Sequence, residues 1–562
     1  MPTSEKAPLF SLHSLKSEWP TLVLWSYLLS PLVIRAVANQ HHSKIDLLTL
    51  FTLGISGLWL VLLRFISSNQ FKVHALLLPF YLLATIDLFL VLNFNSRLTA
   101  AYVFIALTNY KEASDFVATY WRPVALVLSL FALCYGLGLA GLYKRRFYKS
   151  RALALLSACT LLLGYGAYFY KTATLNGLGQ GAVLDLAAKD QSTPFGYLSQ
   201  IGLTTYLHAQ SQEHISKRRT AQVNIISQTN EPNVDTLVFV IGESSRPHNW
   251  SLYGYHNPTT PNLDRQKGVF RLDNVCTTSP YTSVAVPSML SLSPISNWDL
   301  IASSQSLVGI YRKAGYDTHW LSVQEVDSFG GIIPHIAAEA QHRHYFERSY
   351  DHAMLPAYEK ILLDGGTRKQ AIFIHIKGSH FDYARRYPDN FRKFQPATNS
   401  AKDQITADYD NTILYTDWIL NSLITQLQAS KRSALLVYAS DHGENILDDH
   451  RGLLGHGIGN EYDLAVSSFI WASDNLPAPL NLRLAKLKDR ADQPISISSL
   501  PHTLLGITGV LTNDYNSAHD LMSDTFIPST CPYLLGSGYV PSFQFSIRPA
   551  AKASGQLVHQ AD

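Results

Sequence analysis

The sequence predicts a two-part chain: an α-helical membrane domain, then an α/β domain built on a mainly parallel sheet. Two observations carry this. Apolar residues make up 47% of the 562 residues and concentrate in the first third. After Asp235, short apolar runs alternate with helical patterns, as strands do with helices that cover both faces of a sheet. The length exceeds one ordinary domain. A net charge of +3, with no basic stripe interleaved with aromatics, excludes a nucleic-acid partner.

Five spans are expected, at Thr21–Val37, Asp46–Ile66, Val73–Phe94, Pro123–Tyr143 and Ala152–Tyr170. Each is close to the ~20 residues that cross the hydrocarbon layer. The first lacks a small-residue cleavage site and is expected to stay in place as a span. The loop Lys144 to Arg151 is the most basic short loop, so it is placed in the cytoplasm. The loop 95–122 and everything after Tyr170 then lie outside. Trp25, Tyr120, Trp121, Tyr168 and Tyr170 suit the interfacial belt.

The division expected is a transmembrane domain over 1–170, a bridge over 171–234 and a globular domain over 235–562. The bridge is mixed: glycine-rich at 175–181, amphipathic at Phe195–Ser211, and polar with Lys217, Arg218 and Arg219 beyond, suited to lie along a membrane surface. Strands are expected at Leu237–Ile241, His319–Ser322, Ala371–Ile376, Ala434–Ala439 and Ser467–Ala472. Helices are expected at Leu307–Ala314, Thr406–Leu427 and Ile497–Ile507. Cys134 and Cys159 sit in apolar runs. Cys276 and Cys531 sit in the outer part, where an oxidising compartment would let them pair if they are close.

In open α/β sheets, ligands bind beyond the carboxyl ends of the strands. Glu243 follows the first strand, Gly378-Ser379-His380 the third, and Ser440-Asp441-His442-Gly443-Glu444 the fourth, with His456 close behind in Leu454-Gly455-His456-Gly457. Each alone reads as a cap or a loop residue. Together they give carboxylate and imidazole donors without a thiolate, the pattern of a catalytic zinc site. Cys276 to Pro287 supplies hydroxyls ahead of a helix, and Thr277, Thr278, Thr282 and Ser283 are all candidates for a nucleophile. Thr108 and Glu112 share a helix face in the outer loop, which by itself is an ordinary solvated turn.

Gly242-Glu243-Ser244, Ser251-Leu252-Tyr253-Gly254-Tyr255 and Ser440-Asp441-His442-Gly443-Glu444 resemble motifs of the membrane-bound phosphoethanolamine transferases of Gram-negative bacteria. The resemblance runs from the spans to the Leu500–Gly506 helix. It implies a periplasmic catalytic domain of alkaline phosphatase/sulfatase fold, in a multi-pass inner-membrane protein. It implies Glu243, Asp441, His442 and Thr282 as zinc ligands, with Thr282, five residues before Pro287, as the nucleophile. His380 and His456 match histidines that bind the substrate phosphate or a second zinc. Thr108 and Glu112 fall where the family approaches the donor head group. The polymyxin-resistance branch has a disulfide across the nucleophile loop, whereas Ser288 stands here at the cysteine position. A donor-pocket Asn and Lys of the lipid A enzymes are replaced around Gln324 and Ser328, and Trp320–Ile333 looks like the branch that modifies the lipopolysaccharide core.

The activity implied is transfer of phosphoethanolamine from phosphatidylethanolamine to lipopolysaccharide or another envelope glycan, through a threonine intermediate, by a monomer. Two readings compete with it. One is a glycerol-phosphate transferase or phosphohydrolase sharing the same four metal-site residues. The other is a membrane glycan sensor with an inactive domain, which the complete ligand set argues against.

Overall fold

The computed structural model describes residues 12–39, 47–94, 97–108, 114, 117–118, 120–176, 187, 190–228, 234–324, 331–346, 349–448, 452–535 and 538–544. The chain divides into two compact units, Met1–Gln210 and Ser211–Asp562.

The first unit is helical: α1 (Leu12–Asn39), α2 (Leu47–Ile66), α3 (Gln70–Leu76), α4 (Leu78–Phe94), α5 (Ala100–Thr108), α6 (Trp121–Leu142) and α7 (Arg151–Asn176). α8 (Gly196–Thr220) runs across the boundary between the units. Among the described residues, four helices are long and apolar enough to cross a membrane: Glu18–Val37, Thr49–Ile66, Trp121–Leu142 and Arg151–Lys171. The remaining expected span, Val73–Phe94, is the pair α3 and α4, bent by 58°, and counts as a fifth if the pair is one span. The break has a local cause. Pro79 sits at the start of α4 and has no N–H to continue the ladder.

α1 packs along α6 and α4, and α2 along α7. Gly138 lets α6 approach α1 closely, since a Cβ there would strike Leu24. Asp87 of α4 is fully buried and fully partnered. It faces Arg97 Nε at 2.8 Å, accepts from the Leu98 backbone at 2.7 Å and accepts from the Tyr197 hydroxyl at 2.9 Å. The sequence shows no sign of this knot, because Asp87 and Arg97 are single charges beside apolar runs.

The second unit is organised by a seven-stranded sheet: β1 (Thr236–Gly242), β2 (Val269–Leu272), β3 (Asp317–Ser322), β4 (His342–Tyr345), β5 (Gln370–His375), β6 (Ala434–Ser440) and β7 (Ser468–Ala472). The spatial order is β2-β7-β6-β1-β5-β3-β4. Only β7 runs against the rest. All five expected strands are present. β2 and β4 are additional. β4 reads His-Arg-His-Tyr with mostly exposed side chains, so it gives no apolar signal. β2, at the opposite edge, is three half-buried residues and the buried Leu272.

β1 is buried along its whole length, as a central strand covered on both faces must be. Its side chains alternate between two cores. Leu237, Phe239 and Ile241 join one, with Phe373, Val437 and residues of α9 (Thr282–Met289) and α11 (Leu500–Thr508). Val238 and Val240 join the other, with Ile372, Ile374, Leu436 and the apolar stripe Ile413, Leu420, Leu423, Ile424 and Leu427 of α10 (Ala401–Ser430). Cys276 and Cys531 form a disulfide between segments 255 residues apart. Arg218 of α8, expected in a polar bridge, is buried. It donates to the Ile301 and Ala302 carbonyls and pairs with Glu339 at 2.7 Å.

Replacing Arg97 with Met would leave Asp87 as an uncompensated buried charge, which costs about 3–5 kcal/mol. The expected result is a lowered thermal midpoint in detergent, with part of the loss recovered when Asp87→Leu is added. An Arg97→Met protein as stable as the parent contradicts this.

Candidate active site

The central strands end together. Ile241 is paired with both His375 and Ala439, and Gly242 with Ser440. The residues immediately beyond therefore collect at one edge of the sheet. Gly242 allows the crowding, because a Cβ there would meet the Tyr438 ring. Ser244 then turns the chain with φ of 53°, a left-handed conformation unusual for a side-chain-bearing residue. It is held there by its N–H on Asp441 Oδ1 at 3.2 Å and by the Tyr409 hydroxyl on its carbonyl at 2.6 Å.

Glu243, Thr282, Asp441 and His442 are brought together. Thr282 Oγ1 lies 3.3 Å from Glu243 Oε2 and 3.2 Å from His442 Nε2. His442 Nε2 lies 3.4 Å from Glu243 Oε1 and 3.5 Å from Asp441 Oδ2. Four donors around a tetrahedral zinc, at bonds of about 2.0–2.2 Å, stand about 3.3–3.6 Å apart. The observed separations have that size, so the residues fit the metal. Asp441 Oδ2 is buried with no hydrogen-bond partner, while Oδ1 accepts from the Ser244 and His442 backbones. The Nδ1–H of His442 donates to the Gly443 carbonyl at 2.8 Å, which leaves the lone pair on Nε2.

Burial, and then the Asp441 carboxylate, push the Glu243 carboxyl up to about 8. Two buried carboxylates without a cation repel each other, and a metal removes that cost.

The geometry separates the hydroxyls that the sequence left open. Thr277 donates to the Asp441 and Ser279 carbonyls. Thr278 is hydrogen-bonded to Ser288, bridging the two ends of the loop. Ser283 is exposed. Thr282 opens α9 and faces the carboxylate and imidazole.

The His456 ring lies beside that of His442, tilted by 42° with centroids 4.0 Å apart, and its Nδ1 is 2.9 Å from Glu444 Oε2. His442, Glu444 and His456 form a second group able to hold a cation. Although burial opposes ionisation of Glu444, His456, His442 and the Tyr383 hydroxyl hold its carboxyl below the usual range. Gln324 donates to Glu243 Oε2 at 3.3 Å and to the Ile376 carbonyl at 3.1 Å. His380 Nδ1–H donates to the Phe381 carbonyl at 2.6 Å, in a loop seated against Glu243 through the Ser379 N–H. Gly378, at φ of 49°, makes that seat possible, since a Cβ would come 2.9 Å from the Glu243 carbonyl. Thr108 closes α5, and Glu112 and Ser328 lie outside the described residues.

Three residues have supporting roles that tertiary contacts reveal. Asp351 accepts from the Lys377 and Gly378 backbones and so sets the His380 loop. It is an isolated acid with no motif around it. Glu444 anchors His456, a role its place two residues after His442 could have signalled. His375 ends β5 and is buried against Trp320, with burial holding its pKa down to about 4.

Residues 235–510 match the sulfatase family. The chain is 26% identical to phosphoethanolamine transferase EptC of Escherichia coli (strain K12), over 93% of this chain and 94% of that protein. It is similar to the crystal structure of the C-terminal periplasmic domain of EptC from Escherichia coli in complex with Zn. That likeness has TM-score 0.52 and 25% identity, over 57% of this chain and 96% of that one. The integral membrane protein lipooligosaccharide phosphoethanolamine transferase A (EptA) from Neisseria meningitidis shares the fold with TM-score 0.65 and 20% identity, over 89% of this chain and 97% of that one.

The raised Glu243 pKa has a sign that can be measured. An ordinary Glu titrates near 4.3, so between about 4.3 and about 8 the metal-free fold holds a proton that the unfolded chain has lost, and its stability falls across that window and levels off above about 8. A bound zinc displaces the proton and removes the loss. The stabilisation by zinc, read as the difference in thermal midpoint between loaded and stripped protein, is expected to grow between about pH 4.3 and about pH 8 and to level off above it. A difference independent of pH contradicts this.

Proposed function

We infer that this chain is a phosphoethanolamine transferase of the alkaline phosphatase/sulfatase superfamily, and that it transfers phosphoethanolamine from phosphatidylethanolamine to lipopolysaccharide or another envelope glycan; its likeness to phosphoethanolamine transferase EptC along 93% of its length supports this. It is a multi-pass membrane protein whose globular domain faces the periplasm. The observation that carries the reading is the Thr282 hydroxyl, set within 3.3 Å of both Glu243 and His442 at the start of α9.

In this reading Glu243, Thr282, Asp441 and His442 hold zinc. Bound there, zinc supplies Lewis-acid charge and lowers the pKa of the threonine hydroxyl. Thr282 Oγ1 attacks the phosphorus of the lipid, and the bond from phosphorus to the diacylglycerol oxygen breaks. His456, held by Glu444, or His380 gives the leaving oxygen its proton. The same groups then take the proton of the acceptor hydroxyl, which attacks the phosphothreonine and frees Thr282. The N-terminal end of α9 favours the anionic phosphoryl group. Gln324 orients the Glu243 carboxylate and faces the donor. Thr108 and Glu112 are assigned to the head group, where a carboxylate matches the ethanolammonium charge. The core-type sequence around Trp320 favours the lipopolysaccharide core as acceptor.

The test is transfer from ethanolamine-labelled phosphatidylethanolamine by the full chain in mixed micelles. Thr282→Ala is expected to lose roughly 10³-fold or more of the activity, while Thr282→Ser keeps a measurable part. Full transfer by Thr282→Ala would overturn the assignment. Mass spectrometry of envelope glycans from cells with and without the protein identifies the acceptor. A glycan profile unchanged in phosphoethanolamine would contradict the transferase reading.

A further inference from the structure

β3 and β4 are parallel neighbours at one edge of the sheet, paired His319 to His342 and Leu321 to His344. Side chains two apart on a strand share a face, and paired residues on adjacent strands share it too. Asp317 and His319 on β3 therefore stand on the same face as His342 on β4. Their donor atoms all lie within 4.8 Å of one another. Asp317 Oδ1 is 3.5 Å from His319 Nε2 and 3.1 Å from His342 Nε2. The two imidazole rings are 4.7 Å apart at their centroids.

Two features point to a ligand here rather than to a closed hydrogen-bond network. The His319 side chain is only 9% exposed, yet neither ring nitrogen has a hydrogen-bond partner. Buried imidazole nitrogens are ordinarily satisfied. Asp317 Oδ2 is taken by Arg368 Nη1 at 3.0 Å, which fixes the carboxylate plane and turns Oδ1 towards the histidines. Such an outer partner is usual for a metal-ligating carboxylate. The 3.5 Å separation lies within the donor spacing of about 3.3–3.6 Å around a tetrahedral zinc, and the 3.1 Å separation lies just below it. The His342 side chain is half exposed, so a solvent molecule can complete the set.

We propose that Asp317, His319 and His342 form a second metal site, for zinc or a divalent transition ion of the same class, apart from the Thr282 centre. Asp317 opens β3, whereas Gln324, which touches Glu243, follows its far end. At about 3.3 Å per residue the strand separates the two places by roughly 20 Å. Two imidazoles and one carboxylate suit zinc, nickel or copper and disfavour magnesium or calcium. The site would clamp β4, a four-residue edge strand with little buried side-chain surface, to β3. The proposal does not depend on the transferase reading.

The test uses the full chain in detergent, stripped with chelator and equilibrated with buffered micromolar zinc, with bound metal counted by mass spectrometry. A His442→Gln background removes a ligand from both the Thr282 centre and the His442, Glu444 and His456 group. In that background the protein is expected to keep one zinc, and His342→Gln is expected to remove it and abolish the zinc-dependent rise in thermal midpoint. Arg343→Gln, on the same strand but the other face, should keep both. Circular dichroism checks the His342→Gln fold, which an exposed position should preserve. Equal zinc content and equal midpoint shift with and without His342 would overturn the proposal and leave Asp317, His342 and Arg368 as an ion-pair network only.

Discussion

The site rests on one constraint, the in-register pairing of β1 between β5 and β6. Because the three strands are parallel and end level with one another, the chain must leave all of them at the same edge. Glu243, the Gly378–His380 loop and Asp441-His442 are thereby gathered from positions 198 and 199 residues apart for the extreme pairs, counted as 441 − 243 and 442 − 243. A shift of one residue in either pairing would turn β1 side chains from one core to the other and move Glu243 off the edge. The two apolar cores forbid that shift, so stability of the sheet and geometry of the site are the same property.

The cost of the arrangement is electrostatic. Glu243 and Asp441 are both buried and both acidic, and Asp441 Oδ2 has no hydrogen-bond partner. A protein interior does not tolerate such groups without a counter-charge or a proton. The neighbouring backbone supplies some relief through the N–H groups of Ser244 and His442 on Asp441. A divalent cation held by Glu243, Asp441 and His442 would supply the rest. The strained turn at Ser244 belongs to the same bargain, because it aims an N–H at Asp441 and is itself fixed by Tyr409.

Much of this was legible in the sequence, for physical reasons that can be named. β1, β5 and β6 are continuous apolar runs, since both faces are covered. The chemistry sits directly after them, so the strand ends pointed to Glu243, His380, Asp441 and His442. Thr282 was less visible, because four hydroxyls crowd one loop and only tertiary contacts distinguish them. β4 was invisible because an exposed edge strand carries no periodic apolar signal, and with it went the Asp317, His319 and His342 cluster. The bend within Val73–Phe94 depends on a single proline inside an otherwise uniform apolar run. The pairings of Asp87 with Arg97, and of Thr278 with Ser288, join residues whose types alone do not name a partner.

The most direct measurement of the central claim is the covalent state of Thr282 during turnover. The full chain would be mixed with phosphatidylethanolamine without acceptor, quenched in acid, digested and mapped by tandem mass spectrometry. The account predicts a phosphoethanolamine group on Thr282 that disappears when acceptor glycan is added before the quench. A modification on a different hydroxyl, or product formed while Thr282 stays unmodified at every time point, would contradict it.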